Sequence, residues 1–310
     1  MKILVTGATG FIGSYLTQDL LKEKHEVFAL VRQTSKTEPL KALGVRLIYG
    51  DITDEKSLEQ ARDHGIEAVF HCAAIVKNDD WKRLFYTNVI GTENICKLCL
   101  ELKVDRLVYL SSVAVVSGHE ERLLCEDLPY SSTNLYGASK IDAEKKVIEF
   151  RKRGLRVAIL RPPMVYGEEE PHALGLLLSL LRFKMLPLVN QGSARWHLAY
   201  VKNVTKGLML ALSKEEALKK SFFVADEEVL TVKEIFSILT GAMNCPAPFS
   251  LPACLNPLLV RIPYAGSKFE FFLKDRVYDI SRIKSFGYKP EFSAPAALAQ
   301  SARYWLNSKK

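Results

Sequence analysis

Through the first half of the chain, short runs of β-branched and other apolar residues alternate with longer stretches of helical period. That alternation restricts the fold more than any other feature. The runs are Ile3 to Thr6, Val27 to Val31, Val45 to Tyr49, Ala68 to Phe70, Leu107 to Leu110 and Val157 to Leu160. Between them the spacing predicts helices over Phe11 to Lys24, Glu55 to His64, Lys82 to Lys103 and Asn134 to Arg153. Strands that read as continuously apolar are those covered by helices on both faces, and strands joined through helices run parallel. The expectation is an α/β protein built on a doubly wound parallel sheet.

After Gly167 the rhythm fails, prolines gather at Pro246, Pro248, Pro252, Pro257 and Pro263, and helical patterns dominate. Residues 1–165 are therefore expected to form the sheet domain, with return segments near 198–212 and 222–225, and residues 166–310 a smaller, mostly helical substrate-binding lobe. With 48% hydrophobic and 25% charged residues over 310 positions, the chain has the composition of a protein with a full core. Disorder and fibrous repeats are excluded. The formal charge of +8 comes from scattered basic residues that never form a run of five. It describes a solvated surface better than a nucleic-acid or membrane site.

The first strand-like run begins directly after Met1, leaving no room for a signal peptide. The apolar stretches Ala173 to Leu181 and Leu251 to Ala265 are ended by Arg182 or broken by prolines, short of the ~20 residues a spanning helix needs. A cytoplasmic protein is expected. Six cysteines, Cys72, Cys96, Cys99, Cys125, Cys245 and Cys254, are too sparse for a disulfide scaffold. Cys96 and Cys99 have C-x-x-C spacing but sit in a helical pattern without a second ligand pair, so buried packing is favoured over metal. The histidines show no ligand spacing, and no metal is expected.

Between the first strand and the first helix lies Thr6-Gly7-Ala8-Thr9-Gly10-Phe11-Ile12-Gly13. Gly7 permits a tight turn, Gly10 lets backbone approach a pyrophosphate, and Gly13 allows close packing of helix on strand. The helix start supplies N–H groups and the positive end of its dipole. In this position, after strand one of a βα series, the pattern predicts dinucleotide binding by Gly7, Thr9, Gly10, Phe11, Ile12 and Gly13 rather than a flexible loop. A Rossmann unit selective for NAD places an acid at the end of its second strand. Here Phe28-Ala29-Leu30-Val31 is followed by Arg32, with Thr34, Ser35 and Lys36 nearby. A guanidinium suits a 2′-phosphate, so NADP(H) is expected over NAD(H), with Arg32 as an ordinary loop residue the alternative. Asp51 and Ile52, after the third strand, are assigned to the adenine side, against a turn-capping role for Asp51.

Tyr136-Gly137-Ala138-Ser139-Lys140 opens a helical stretch whose four-residue spacing puts Tyr136 and Lys140 on one face. A phenol of reference pKa ~10 is a poor acid-base group near neutrality, and a neighbouring ammonium would stabilise its phenolate. Upstream, Leu107-Val108-Tyr109-Leu110 leads into Ser111 and Ser112, where a hydroxyl can hydrogen-bond a substrate carbonyl.

Together these residues resemble the extended short-chain dehydrogenase/reductase superfamily, the NAD-dependent epimerase/dehydratase family, over nearly the full length. In the family's order come the glycine turn, His71-Cys72-Ala73-Ala74, Asn88-Val89-Ile90-Gly91-Thr92-Glu93-Asn94, Ser111-Ser112, Tyr136 with Lys140, and Arg161-Pro162-Pro163-Met164-Val165-Tyr166-Gly167. The resemblance implies that Tyr136 donates or accepts the proton and that Lys140 also holds the nicotinamide ribose. Ala73, Ala74, Asn88, Ser111, Pro162, Pro163 and Met164 would border the cofactor. Ser112 would orient the substrate, with Ser111 the fallback. It also implies a homodimer through the Lys82 to Lys103 and Asn134 to Arg153 helices.

Three features bear on the branch of the family. Val113 and Ala114 stand where sugar-nucleotide dehydratases carry an Asp-Glu pair. Met164 stands where many nucleotide-sugar epimerases carry an asparagine, and Arg32 suggests a cofactor that enters and leaves as a net reductant. Against these, Gly192-Ser193-Ala194-Arg195 resembles the segment where sugar-nucleotide enzymes set arginine against a diphosphate, unless Arg195 contacts a carboxylate. Leu176, Leu177, Leu178, Leu180, Leu181 and Leu186, with Phe249, Leu251, Leu255, Leu258 and Leu259, read as core more than as an apolar channel. The expectation is an NADP(H)-dependent reductase of a ketone or aldehyde on a largely apolar small molecule, similar to the dihydroflavonol-reductase and 3β-hydroxysteroid-dehydrogenase branches. Ser112, Tyr136, Met164 and Arg195 would meet the substrate. A nucleotide-sugar epimerase is the alternative and a non-enzymatic dinucleotide sensor the third reading. The sensor would not need both Tyr136 and Lys140.

Overall fold

A computed structural model of the protein describes residues 1–77, 79–251 and 272–309. Cys254, Leu255, Leu258, Leu259, the prolines at 252, 257 and 263 and most of the 251–265 apolar stretch lie outside the described residues. The six expected strands are β1 (Lys2–Thr6), β2 (Glu26–Val31), β3 (Arg46–Tyr49), β4 (Ala68–His71), β5 (Arg106–Leu110) and β6 (Val157–Arg161). Two short pairs follow: β7 (Val165–Tyr166) runs parallel to β9 (Ala199–Tyr200), and β8 (Arg195–His197) antiparallel to β11 (Val229–Thr231). β10 (Ser221–Phe223) joins the main sheet beside β6.

The seven-stranded sheet is parallel throughout and ordered β10-β6-β5-β4-β1-β2-β3. The order reverses between β1 and β4, which makes the crevice at their carboxyl ends the natural ligand site of a doubly wound sheet. Alternate strand residues enter different cores. Ile3, Val5, Ala29 and Val108 pack with Leu16, Leu20, Val204 and Leu208 on one face. Leu4, Phe28, Leu107 and Ile159 pack with Ile95, Cys99, Ala143 and Val147 on the other. This two-residue alternation with both faces apolar is why the strands read as continuous hydrophobic runs. Cys96 and Cys99 are fully buried in the second core, where burial pushes the Cys96 thiol up to about 12.

Two helical expectations are corrected. Glu55–His64 is a 3-10 helix, capped by the Asp54 side chain on Lys56 N–H and ended by Gly65 at φ 64°. Its two buried residues, Leu58 and Ala61, are three apart, the spacing that aligns in a three-residue turn. The expected 82–103 helix starts at Trp81 and contains a π-helical segment, Phe85–Ile90, before continuing as Gly91–Glu101. The first and fourth helices are Phe11–Lys22 and Leu135–Lys152, and a short helix, Glu38–Ala42, was not anticipated.

Beyond residue 166 a third core gathers Leu178, Leu181, Trp196, Leu198, Ile235, Phe236, Leu239 and Leu298. It draws on helices Leu174–Arg182, Val232–Ala242 and Ala294–Asn307. Of the leucines read as core, Leu178 and Leu181 are buried and Leu177 and Leu186 pack at the margin, whereas Leu176 is 65% exposed. Within 198–212 only Ala199–Tyr200 is a strand, paired with β7 and not with the main sheet. Val201–Ser213 is a helix whose Val204, Leu208, Ala211 and Leu212 cover the first face. Among the described residues no helix is long and apolar enough to cross a membrane.

Gly13 and Gly241 form a test of close packing. A Cβ on Gly13 would stand 2.1 Å from Gly7 O, whereas one on Gly241 meets nothing within 4 Å. Gly13→Ala should destabilise the protein by ~1–3 kcal/mol in urea titration, and Gly241→Ala should stabilise it by up to ~1 kcal/mol.

Candidate active site

At the head of β1, Gly7 adopts φ 72° and its backbone lies against the segment after β4. A Cβ there would be 2.7 Å from Ala73 N and 2.8 Å from Cys72 C. Gly10 N–H donates to Gly7 O at 2.9 Å and Gly10 is the cap of the first helix, contributing no side-chain hydrogen bond. The first-turn N–H groups therefore face the crevice uncapped by a side chain, an anion-seeking arrangement. Phe11 packs edge-on against Tyr15, and Ile12 is partly buried. Arg32 is exposed just after β2. Its N–H is bound by Ser35 Oγ at 3.2 Å, and its guanidinium meets no carboxylate among the described residues. Asp51 Oδ1 accepts from Thr53 N–H and Oγ1 at 2.9 and 2.8 Å, so the capping alternative is realised and any adenine contact would fall to Oδ2. Ile52 is buried beneath Gly91, where a Cβ would stand 2.6 Å from Ile52 Cδ1.

The carboxyl end of β5 and the start of helix Leu135–Lys152 bring the remaining candidates together. Asn134 Oδ1 caps the helix on Gly137 N–H at 2.8 Å, which sets Tyr136 in its first turn and Lys140 in the next. Ser112 Oγ accepts from Ala114 N–H at 3.1 Å and is hydrogen-bonded to the Tyr136 hydroxyl. Ser111 Oγ is buried and has no hydrogen-bond partner among the described residues. Lys140 is 2% exposed, and its Nζ donates to the Tyr109 hydroxyl at 3.0 Å and to Leu110 O at 2.9 Å.

Here the electrostatic expectation needs correction. Burial pushes the Tyr136 phenol above its usual 10, opposed by the Ser112 hydrogen bond, and burial pulls Lys140 down to about 8, opposed by Glu144 and Cys72. The ammonium donates to the Tyr109 hydroxyl and to Leu110 O, and burial sets the upward direction of Tyr136.

The other motif residues frame this centre. Asn88 is 1% exposed and its amide is fully used. Oδ1 accepts from Ile75 N–H at 2.8 Å, while Nδ2 donates to Ile75 O at 3.0 Å and Ser139 Oγ at 2.9 Å. It thereby ties the segment containing Ala73 and Ala74 to the helix of Tyr136. Pro162 O accepts from Val113 N–H at 3.1 Å, Pro163 is buried, and Met164 is 39% exposed with its carbonyl accepting from Ala199 N–H. Arg195 sits on β8 and grips Asp275 through Nε and Nη2 at 3.1 and 2.9 Å, with its own N–H on the same carboxylate. A groove of about 880 Å³ along Tyr15, Lys22, Lys202, Gln300 and Arg303 contains none of these residues.

Sequence reasoning missed the polar groups behind the centre. Arg161 Nε and Nη2 clamp Glu144 at 2.9 and 2.6 Å, Arg161 Nη1 reaches Glu126 O, and Tyr130 donates to Glu144 at 2.8 Å. Glu144 is one helical turn beyond Lys140, a spacing that offered a signal. Tyr109, by contrast, is 31 positions from Lys140 and reads as strand core.

Residues 3–225 match the model of the NAD dependent epimerase/dehydratase family. The chain is 32% identical over 261 residues to the 2-alkyl-3-oxoalkanoate reductase of Stenotrophomonas maltophilia, covering 79% of this chain and 77% of that protein. It is 26% identical, over an alignment of 344 positions, to the decarboxylating sterol-4-alpha-carboxylate 3-dehydrogenase of Mus musculus, covering 100% and 92%. The crystal structure of a Thermus thermophilus UDP-glucose 4-epimerase complex with NAD matches with a TM-score of 0.80 at 25% identity, covering 98% and 99%.

The Arg161 and Glu144 side chains are 5% and 0% exposed. Removing one partner leaves a buried charge unpaired, so Glu144→Ala should cost ~3–5 kcal/mol by urea unfolding, far more than an exposed pair such as Arg62 with Glu101.

Proposed function

The chain belongs to the NAD dependent epimerase/dehydratase family as an NAD(P)-dependent oxidoreductase of the short-chain dehydrogenase/reductase type, and from that premise we propose that it reduces a ketone or aldehyde on a largely apolar small molecule with NADPH. The observation that carries this reading is the convergence of Ser112, Tyr136 and Lys140 at the end of β5. The dinucleotide fits the crevice on two grounds: the glycine cradle that a Cβ would fill, and the buried Ser111 Oγ, which has no hydrogen-bond partner among the described residues. Gly7, Gly10 and Gly13 would take the pyrophosphate, Arg32 the 2′-phosphate, and Lys140 the nicotinamide ribose. When bound, the reduced nicotinamide supplies hydride. Ser112 and Tyr136 then polarise the carbonyl oxygen and Tyr136 gives it a proton, while Lys140 keeps positive charge nearby. Met164, exposed after β6, favours an apolar neighbour. The engagement of Arg195 by Asp275 weakens the case for a diphosphate there.

Purified protein should consume NADPH in proportion to product when offered a panel of apolar ketones and aldehydes. Tyr136→Phe should lower turnover by ~10²-fold or more while leaving NADPH affinity nearly unchanged. Interconversion of nucleotide sugars without net cofactor consumption, and no NADPH oxidation across the panel, would establish the epimerase instead. For the cofactor, calorimetric titration should give tighter NADPH than NADH binding, with Arg32→Glu losing ~10-fold or more of NADPH affinity. Equal affinities in the unmodified protein would remove Arg32 from the site. A homodimer through the Trp81–Glu101 run and helix Leu135–Lys152 is also proposed. The exposed Trp81 and Tyr86 support it, and sedimentation showing only a 34.9 kDa species at micromolar concentration would refute it.

A further inference from the structure

Behind Lys140 lies a connected set of buried polar side chains that the proposed chemistry does not use. Lys140 Nζ donates to the Tyr109 hydroxyl at 3.0 Å and lies 4.6 Å from the centre of the same ring. Thr92 Oγ1 is 3.0 Å from His71 Nε2, and His71 Nδ1 is 2.7 Å from Thr6 Oγ1. Thr6 Oγ1 in turn accepts from Ala73 N–H at 3.2 Å, at the place where Gly7 meets the segment after β4. Thr6, His71, Thr92 and Tyr109 are each no more than 1% exposed, and the His71 and Tyr109 rings stack at 5.5 Å.

The protons in this chain follow from its donor and acceptor inventory. Thr92 has one hydroxyl proton, and it goes to Asn88 O at 2.6 Å. Thr92 Oγ1 therefore accepts from His71 Nε2–H. His71 is neutral, because burial and the nearby Lys140 charge pull its imidazole down to about 3. With Nε2 protonated, Nδ1 is an acceptor and takes the Thr6 proton. An ammonium can only donate, so the Tyr109 hydroxyl turns a lone pair toward Lys140.

We infer that Tyr109 is a positioning residue for Lys140, its hydroxyl oxygen accepting from the ammonium so that it holds the side chain and stabilises the charged form. The inference rests on the proposed role of Lys140 beside Tyr136. Packing alone asks only for the ring of Tyr109, since a hydroxyl at such depth destabilises the fold unless partnered. Removing the phenol oxygen would leave a buried ammonium with one acceptor fewer, which favours the neutral amine. The titratable groups facing Lys140 are Glu144 on its own helix, His71 and Cys72 from the end of β4, and Tyr109 from β5. Glu144 and Cys72 favour the ammonium, and neither is altered by replacing Tyr109.

The titration of Lys140 can be followed by ¹³C NMR of lysine ε-carbons, its resonance assigned by its absence in Lys140→Arg. Tyr109→Phe keeps the ring and should lower the Lys140 midpoint by about one unit, the scale of a lost charge-assisted hydrogen bond. An unmoved midpoint in a variant with unchanged urea unfolding overturns the inference. If Tyr109→Phe does not fold, Tyr109→Met decides, since it removes the same oxygen while a flexible side chain fills the space. The midpoint should fall in the same direction; no movement overturns the inference. The measurement needs neither cofactor nor carbonyl compound, so failure of the reductase proposal and failure of this one are read separately.

Discussion

Two backbones meet at the head of β1 with no space between them for a side chain. Gly7 lies against Cys72 and Ala73, and Gly13 brings the first helix down onto Gly7 itself. Because β1 and β4 flank the point where the sheet order reverses, this contact joins the β1-β2-β3 half to the β4-β5-β6 half. Side chains then carry the registration outward. Thr6 holds Ala73 N–H, and Asn88 holds Ile75 and, through Ser139, the helix that presents Tyr136 and Lys140. The glycine turn and the Tyr-Lys pair are more than 120 residues apart in sequence, yet each is positioned against the same short segment after β4.

The sheet was legible in the sequence because both faces of β1, β4, β5 and β6 are buried, which leaves those strands no choice but continuous apolar composition. Tyr136 and Lys140 were legible for a similar reason: four-residue spacing on a helix is a local property. The features that sequence reasoning missed are those set by distant partners. Phe85–Ile90 has an ordinary helical pattern, and its wider turns accompany the fixing of Asn88 to Ile75 and of Gly91 to Ile52, contacts that periodicity does not record. For Arg195 the sequence left a diphosphate and a carboxylate both open, and Asp275, 80 positions later, holds its guanidinium. Lys140 also donates to Tyr109 and Leu110, partners that four-residue helical spacing does not record.

Buried polar groups cluster on the side of the site that faces the sheet. The Arg161 and Glu144 pair, with Tyr130 and the Glu126 carbonyl, fills the space between helix Leu135–Lys152 and β6. A buried ion pair is weak evidence for stability, because apolar residues of similar volume are often as stabilising. What it does impose is orientation. A two-pronged guanidinium-carboxylate contact tolerates little rotation, so it fixes the helix of Tyr136 and Lys140 to the strand that leads into Pro162 and Met164.

Relatives in sequence include a reductase and a decarboxylating dehydrogenase, and a solved epimerase shares the fold, so the fold does not choose among reactions. On the proposed reading the choice lies where the chain leaves β6. There Met164 has its carbonyl bound by Ala199 N–H and its side chain exposed, an apolar projection from a fixed backbone. The nearest cation that sequence pattern offered to a diphosphate, Arg195, is neutralised by Asp275 in a contact that uses both its Nε and its Nη2. Freeing Arg195 would leave Asp275 without that partner, so a diphosphate would gain its arginine only by breaking an existing charge pair, whereas an apolar substrate would need no such rearrangement.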